Sequence, residues 1–275
     1  MPELPEVETI AASLYPHVRD CVFTFARVLR PSSLHPLSLA PASLEGARIS
    51  GVGRRGKLLI FNLEGAKPQM LVAHLRMTGR IFTASANSEL GKHTRCIFGL
   101  KSPAGEEKQL FFDDTRAFGQ LMVATPEILG KWQFWRTLGP EPLEISGEIL
   151  AERLKGRRPL KTALLDQRVI AGIGNIYADE SLHQAGLSPL REAGSLSMSE
   201  SAALLEAIQA ILRLSISQCG SSIRDYRDAN GNAGAFQNTF RVYGRGGQEC
   251  RNCGRKLIKT RLGGRATVYC ANCQS

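Results

Sequence analysis

The sequence predicts a multidomain α+β protein: an N-terminal antiparallel β-sandwich with flanking helices, a helical domain and a C-terminal zinc ribbon. Three observations support this fold class. Short strand-like segments follow one another between about residues 21 and 125 with no helical pattern between them. Apolar residues then recur at helical spacing, and four cysteines near the C-terminus have zinc-ribbon spacing. A chain of 275 residues is long enough for more than one core.

The first predicted element is a helix that begins near Pro5. Proline is favoured in the first helical turn, and Glu3, Glu6 and Glu8 complement the positive end of the helix dipole. Apolar residues recur along the helix at the spacing of one face, namely Val7, Ile10, Ala11 and Leu14. This periodicity predicts that the helix buries that face.

Strand-like segments follow the helix and are separated by turn-forming clusters at 31–33 and 102–105. They include residues 21–28, 48–52, 57–63, 70–75, 96–100, 109–112 and 120–124. Because no helical segments lie between them, the strands are expected to pair antiparallel and to form the sandwich.

The composition changes at residues 138–143, where two prolines and a glycine predict a stiff connector. Ser197 and Glu200 then form a predicted capping box, and a helix with one apolar face ends near Gly220. Residues 227–237 contain an Asn-Gly pair and lack periodicity, which predicts a mobile loop. The predicted domains are 1–130 for the sandwich, 131–145 for the linker, 146–238 for the helical domain and 239–275 for the ribbon.

The charge balance favours a polyanionic partner, because the chain has a formal net charge of +10 and a pI near 9.5. No apolar run approaches the ~20 residues needed to cross a bilayer. The sequence also has no basic amphipathic helix of the kind that lies on a membrane surface. The start MPELPEVETI lacks the features of a secretory signal. Three scattered cysteines outside the C-terminal quartet, Cys21, Cys96 and Cys219, suit a reducing compartment, so we expect a cytoplasmic protein.

The C-terminal quartet consists of Cys250, Cys253, Cys270 and Cys273, two C-x2-C pairs separated by sixteen residues. This spacing is typical of a zinc ribbon whose four thiolates hold one structural ion, and the alternative is a pair of disulfides. Residues 241–275 carry eight basic and one acidic side chain, a net charge of +7. A small metal-bound hairpin with this charge is suited to binding phosphates.

Residues 172–177 read Gly-Ile-Gly-Asn-Ile-Tyr and predict a tight turn that opens a helix, with Asn175 as its N-cap. The amides at such a helix start can bind a phosphate without base selectivity. The alternative is an ordinary turn with no ligand, which is the more common meaning of this pattern.

Pro2 becomes a secondary amine at the chain end if Met1 is removed. An α-amino group titrates near ~8, so more of it is neutral at pH 7 than of a lysine side chain. A neutral amine can attack an electrophilic sugar carbon and form an iminium ion, and Glu3 beside it can act as general acid or base. The alternative is that Pro2 only follows an initiator methionine.

Together these motifs resemble the formamidopyrimidine-DNA glycosylase family, whose sister group is endonuclease VIII. The resemblance covers nearly the whole chain and rests on residues 1–6, 55–57, 74–79, 114–119, 172–177 and 243–245 and on the four cysteines. It implies an N-terminal β-sandwich and a helix–two-turn–helix domain that ends in the zinc ribbon, with duplex DNA bound between the two halves.

The resemblance also implies a role for each matching residue. Pro2 would be the nucleophile and Glu3 the proton donor, with Lys57 in the same catalytic group. The residues expected to hold phosphates around a flipped nucleotide are Lys57, His74, Lys161, Asn175 and Arg265. Those expected to fill the space that the lesion leaves are Met77, Arg116 and Phe118; such a wedge offsets the few kcal/mol that base extrusion costs. Without the resemblance, Met77 and Phe118 would be assigned to the core.

Four positions depart from the family pattern. Arg76 and Thr78 stand where the family has glycine and serine, and Thr115 and Ala117 replace a proline and a basic residue. These positions flank the wedge residues and therefore bear on the opposite-base preference and the lesion range.

The resulting prediction is a monomeric base-excision enzyme that removes oxidised purines from duplex DNA. Pro2 would displace the base, and β- and δ-elimination would then cut the strand on both sides. The protein's own amine is the electron sink, so no cofactor beyond the structural zinc is expected. One alternative is an endonuclease VIII-like glycosylase for oxidised pyrimidines, and another is a non-catalytic, zinc-dependent binder of damaged DNA.

Overall fold

The computed structural model describes residues 1–65, 68–223 and 226–275. The chain forms two compact units: Met1–Thr137 with Cys219–Gly234, and Leu138–Gln218 with Ala235–Ser275. The predicted domain ranges stay a prediction, and the compact units divide the chain differently. Cys219–Gly234 follows the long helix in sequence but belongs to the first unit.

Over its described residues, the first unit consists of an N-terminal helix, eight strands and two short helices. Its helices are α1 (Leu4–Val18), α2 (Pro126–Lys131) and α3 (Gln133–Thr137), with 3-10 turns at Pro31–Ser33 and Pro41–Leu44. Its strands are β1 (Val22–Val28), β2 (Arg48–Arg55), β3 (Leu58–Glu64), β4 (Met70–His74), β5 (Gly79–Ser85), β6 (Thr94–Lys101), β7 (Glu107–Asp114) and β8 (Gln120–Ala124). Strand β5 was not among the predicted segments.

The eight strands form one antiparallel sheet in the order β5-β7-β6-β1-β2-β3-β4-β8. Ile81 of edge strand β5 and Val123 of edge strand β8 nevertheless belong to the same apolar core. The sheet therefore curves over itself, because opposite edges of a flat sheet do not share a core. Leu14 and other apolar residues of α1 also belong to this core, as their spacing predicts.

The segment that returns to the first unit makes specific contacts with α1. Asn230 Oδ1 lies 2.8 Å from His17 Nε2, and the Ala229 amide donates to Ser13 Oγ at 3.1 Å. Asp228 Oδ1 accepts from the amides of Asn230 and Asn232. Ala229 and Asn230 thus attach the first part of the predicted mobile loop, 227–237, to α1, and its last residues enter the 3-10 turn Phe236–Thr239.

The second unit is helical and ends in a two-stranded hairpin. Its helices are α4 (Gly147–Arg153), α5 (Leu160–Leu165), α6 (Asn175–Gln184) and α7 (Met198–Ser217), with 3-10 turns at Ala193–Ser195 and Phe236–Thr239. Strands β9 (Ile258–Leu262) and β10 (Arg265–Tyr269) pair antiparallel. Helices α6 and α7 pack together, and Tyr177 Oη lies 2.7 Å from Ser215 Oγ.

The predicted capping box at the start of α7 is confirmed: Ser197 Oγ accepts the Glu200 amide, and Glu200 Oε2 accepts the Ser197 amide. The N-cap prediction for α6 is wrong by one residue, because Gly174 is the N-cap and Asn175 is the first helical residue. Over the described ranges, no helix combines the length and apolar character needed to span a bilayer.

Candidate functional site

Pro2 and Glu3 lie buried at the start of α1, whereas Met1 is 41% exposed. The Glu3 amide donates to Glu6 Oε2 at 2.9 Å as one half of a capping box. Glu6 Oε1 in turn accepts the Ser221 amide at 2.8 Å. The residue before Pro2 is therefore accessible, and the two predicted catalytic residues stand on a helix start that is held in place.

Lys57 and His74 are brought together by the pairing of β3 with β4. Leu58, which follows Lys57, lies opposite His74 in this ladder, and both predicted side chains are buried. Burial, followed by the charges of Arg76 and Lys57, lowers the pKa of His74 to about 3. The Arg76 amide donates to Nδ1 at 3.2 Å, so the neutral ring carries its proton on Nε2, a suitable donor to a phosphate.

Two of the three predicted wedge residues are large apolar side chains exposed to solvent. Met77 is 39% exposed and Phe118 is 55% exposed, so the alternative that they belong to the core is wrong. The Arg116 guanidinium carbon lies 4.9 Å from the centroid of the Phe118 ring, a cation–π contact that orients both side chains. Single exposed apolar side chains are common on protein surfaces. Here the two lie on neighbouring loops, Met77 between β4 and β5 and Phe118 between β7 and β8.

The buried carboxylate of Asp114 holds these two loops together. Its Oδ1 accepts the Thr78 hydroxyl at 2.5 Å and the Arg116 amide at 3.2 Å, and its Oδ2 accepts the Gly119 amide at 2.7 Å. The Arg116 amide also lies 3.1 Å from Thr78 Oγ1. Asp114 is absent from the predicted site, although it begins one of the motifs, and it positions the wedge without belonging to it.

Asn175 contacts strand β10 next to Arg265. Asn175 Nδ2 donates to the Ala266 carbonyl at 3.0 Å, and Arg265 is the exposed residue just before Ala266. The structure therefore places Asn175 against the strand that begins with Arg265, 90 positions later in the sequence.

The position of Lys161 does not fit the predicted contact with a phosphate. Its side chain is 0% exposed, and its ammonium lies 2.8 Å from Asp179 Oδ1, 2.8 Å from the Ala266 carbonyl and 2.9 Å from Thr267 Oγ1. Three oxygens match the three protons of an ammonium group. Burial raises the pKa of Asp179 to about 7 even though Lys161 opposes that shift. Lys161 therefore holds the hairpin that carries Arg265.

The four C-terminal cysteines form a compact group whose sulfur atoms all lie within 4.8 Å of one another. Cys250 Sγ is 3.9 Å from Cys273 Sγ, and Cys253 Sγ is 3.5 Å from Cys270 Sγ. Tetrahedral zinc with Zn–S bonds of about 2.3 Å requires sulfur separations of about 3.8 Å, so the group fits one zinc ion. A disulfide needs about 2 Å, which excludes that alternative. Four protein ligands leave no position for a catalytic water.

Helix α6 attaches the zinc ribbon to the rest of the second unit. Glu180 accepts the amides of Arg241, Val242 and Tyr243 at 2.7 to 3.0 Å. One turn further along, His183 Nε2 lies 3.7 Å from Cys250 Sγ. Burial raises the pKa of the Cys250 thiol, but hydrogen bonds from His183 and backbone amides outweigh it and lower the pKa to about 7.

Comparison with known families covers most of the chain. Residues 1–121 match the formamidopyrimidine-DNA glycosylase N-terminal domain, and residues 138–227 match the H2TH domain of the same enzyme. Residues 247–275 match the zinc finger found in FPG and IleRS. The chain belongs to the formamidopyrimidine-DNA glycosylase family.

Relatives in this family align over long stretches. The formamidopyrimidine-DNA glycosylase of Desulfitobacterium hafniense is 44% identical over 280 residues, which cover 100% of both chains. That of Nitratidesulfovibrio vulgaris is 53% identical over 205 residues, which cover 74% of this chain and 55% of that relative.

Solved structures of this family have the same fold. A variant of the Lactococcus lactis FPG in complex with Fapy-dG-containing DNA has a TM-score of 0.89 and 32% identity over 99% of both chains. MutM in complex with DNA containing carbocyclic 8-oxo-G has a TM-score of 0.88 and 33% identity over the same shares.

Two of the four departures from the formamidopyrimidine-DNA glycosylase pattern fall on unusual backbone conformations. Arg76 has a φ of 52° and Ala117 a φ of 54°, in the left-handed region that favours glycine. Arg76 replaces the glycine of the family motif, so its side chain stands on a conformation that suits glycine. Thr78 keeps the hydroxyl of the serine it replaces and uses it on Asp114.

Proposed function

We propose that this protein is a bifunctional DNA glycosylase and abasic-site lyase of base-excision repair. Its substrates are oxidised purines in duplex DNA, namely 8-oxoguanine and formamidopyrimidines. The observation that carries the proposal is the chain start, where Pro2 and Glu3 stand on a fixed helix terminus behind an accessible Met1. Family membership and lesion-containing complexes of similar proteins support the choice of substrate.

The proposed chemistry begins once Met1 is removed and Pro2 is a secondary amine. The neutral amine attacks C1′ of the deoxyribose, a C–N bond forms, and the bond from C1′ to the base breaks. Glu3 supplies a proton, and the product is an iminium ion between Pro2 and the opened sugar. The iminium makes the C2′ proton acidic; this proton is lost, its electron pair forms a C2′–C3′ double bond, and the 3′ phosphate leaves. Loss of the C4′ proton then expels the 5′ phosphate in the same way, so the strand is cut on both sides.

The remaining predicted residues support this reaction. Lys57 and His74 hold phosphates at the start of the β3–β4 pair, and Asn175 and Arg265 hold them at the start of β10. Met77, Arg116 and Phe118 fill the space of the extruded nucleotide, and a wedge with exposed apolar surface suits this task. Lys161 contributes through the hairpin it holds. The zinc ion, held by the four cysteines, supplies folding energy to the ribbon.

The proposed setting follows from the partner. The proposed location of this basic DNA-binding chain is the cytoplasm, where its three scattered thiols stay reduced. The proposed active form is a monomer. The predicted division into sandwich, linker, helical domain and ribbon is kept as the proposed functional division of the chain.

Borohydride trapping tests the nucleophile. Borohydride reduces the iminium, so wild-type protein is expected to cross-link to DNA with an abasic site. Pro2→Gly protein, and protein shown by its mass to retain Met1, are expected to trap and cleave far more slowly. Binding of both to lesion-free duplex serves as the control for folding. If either variant traps and cleaves at the wild-type rate, Pro2 is not the nucleophile.

Glu3→Gln tests the proton donor and keeps an oxygen that can cap α1. Excision of 8-oxoguanine is expected to fall more than cleavage at a preformed abasic site, because the abasic sugar has no base left to expel. Equal losses on the two substrates would contradict the role of Glu3 in base removal. A wild-type preference for oxidised pyrimidines over 8-oxoguanine would favour the endonuclease VIII-like activity instead.

A further inference from the structure

His183 is a buried histidine beside the zinc ligands that the proposed reaction does not use. It lies in the last turn of α6 and is 4% exposed, and its Nε2 is 3.7 Å from Cys250 Sγ. Its other ring nitrogen, Nδ1, is buried and has no hydrogen-bond partner within the described part of the chain. A buried N–H without an acceptor costs free energy, so the lack of a partner at Nδ1 bears on which ring nitrogen carries the proton.

The chemistry of a zinc thiolate decides which atom carries the proton. A zinc-bound cysteine has lost its proton, so its sulfur can only accept a hydrogen bond. The proton must therefore lie on Nε2, and Nδ1 keeps only a lone pair. The other tautomer would place the Nε2 lone pair against an anionic sulfur and leave a buried Nδ1–H without an acceptor.

We propose that His183 is a positioning residue of the zinc centre, which donates its Nε2–H to the Cys250 thiolate. The bond withdraws electron density from one of the four sulfurs and fixes the direction of its lone pairs. Partners of this kind orient metal ligands and raise the affinity of the site. The bond also joins the zinc centre directly to α6.

The surroundings of His183 hold its ring in place. Glu180, three residues earlier on α6, binds the three amides of residues 241–243 and so fixes the helix against the ribbon. At the other end of the same helix, Asn175 binds the Ala266 carbonyl. The zinc centre and strand β10 are thus attached to the two ends of one helix of ten residues.

Two substitutions separate hydrogen bonding from packing. His183→Phe keeps a ring of similar size and removes the donor, whereas His183→Gln restores an N–H near the position of Nε2. Zinc affinity is measured by competition with a chelator. His183→Phe is expected to bind zinc about 10- to 100-fold more weakly, and His183→Gln is expected to stay close to wild type. His17→Phe, an exposed histidine of the other unit, is the control and is expected to match wild type.

The cobalt-substituted ribbon gives a spectroscopic measure of the same bond. Loss of the N–H donor makes the sulfur more electron-rich, so the sulfur-to-cobalt charge-transfer band is expected at lower energy in His183→Phe. The band of His183→Gln is expected at the wild-type position. Wild-type affinity and spectrum in His183→Phe would overturn the proposal. Equal losses in both variants would also overturn it, because packing would then explain them; His183→Leu replaces the phenylalanine variant if that one does not fold.

Discussion

The sequence and the structure predict different roles for Lys161, and the two roles can be told apart by the salt dependence of DNA binding. A lysine that contacts a phosphate adds to affinity because binding releases a counterion from the DNA. Loss of such a lysine lowers the slope of log K against log salt by about 0.9. A buried lysine that only holds the hairpin in place releases no counterion from the DNA when the protein binds. Lys161→Met is therefore expected to weaken DNA binding by a similar factor at every salt concentration, with an unchanged slope of log K against log salt.

The structure also sets the expected size of the effect on stability. Lys161→Met leaves Asp179 buried and removes the donor to Ala266 and Thr267. Loss of one partner of a buried ion pair costs about 3–5 kcal/mol of unfolding free energy. The double variant Lys161→Met/Asp179→Asn removes the uncompensated charge and keeps an acceptor for the Val268 amide. It is expected to recover most of this loss.

The pH dependence of the destabilisation by Lys161→Met follows from the pKa of Asp179. Its pKa is raised to about 7 in the folded protein, from an ordinary value of 3.8. A raised carboxyl pKa stabilises the fold below the unfolded value, and this contribution is lost as the pH rises towards the folded value. Without Lys161 the folded pKa rises further, so the carboxyl stays neutral to higher pH. The destabilisation by Lys161→Met is therefore expected to be small at pH 5 and largest above about pH 7.

Arg265→Met is the matched control for the salt experiment. Arg265 is exposed next to the carbonyl that Lys161 binds, so its loss is expected to reduce the slope by about 0.9 and to change stability by less than about 0.5 kcal/mol. Binding is measured by fluorescence anisotropy across a salt series, and stability by denaturant unfolding. The reasoning about Lys161 is refuted if Lys161→Met lowers the slope as Arg265→Met does while the stability stays unchanged.

Two further predictions concern the wedge and the ribbon. Arg116→Ala is expected to remove most of a preference for lesions opposite cytosine over adenine, on the order of 1–3 kcal/mol, because cytosine offers acceptors to a guanidinium and adenine offers a donor. Single-turnover excision opposite both bases measures this, and an unchanged ratio would show that another residue reads the opposite base. Chelation of zinc is expected to abolish DNA binding while the strand signal in circular dichroism persists, since the ribbon has little core of its own. Full binding after verified zinc loss would contradict this role.

The sequence alone determined the features that depend on local spacing. Helical periodicity located the first helix, turn-forming clusters separated most of the strands, and the spacing of Ser197 and Glu200 located the capping box of α7, because these signals come from neighbouring residues. The two C-x2-C pairs specified the metal site, since a tetrahedral ion accepts few arrangements of four thiolates. The order of motifs along the chain identified the family and, with it, suggested the proposed roles of Pro2, Met77 and Phe118.

Only the tertiary structure decided which side chains meet across long sequence distances. It placed Lys161 against Asp179 inside the second unit, His183 against Cys250, and residues 226–234 against α1. It also made Asp114 the common acceptor of two loops. None of these contacts has a local periodic signal. A lysine on the surface and a lysine in a buried ion pair look alike in sequence, because burial depends on what the rest of the chain packs around them.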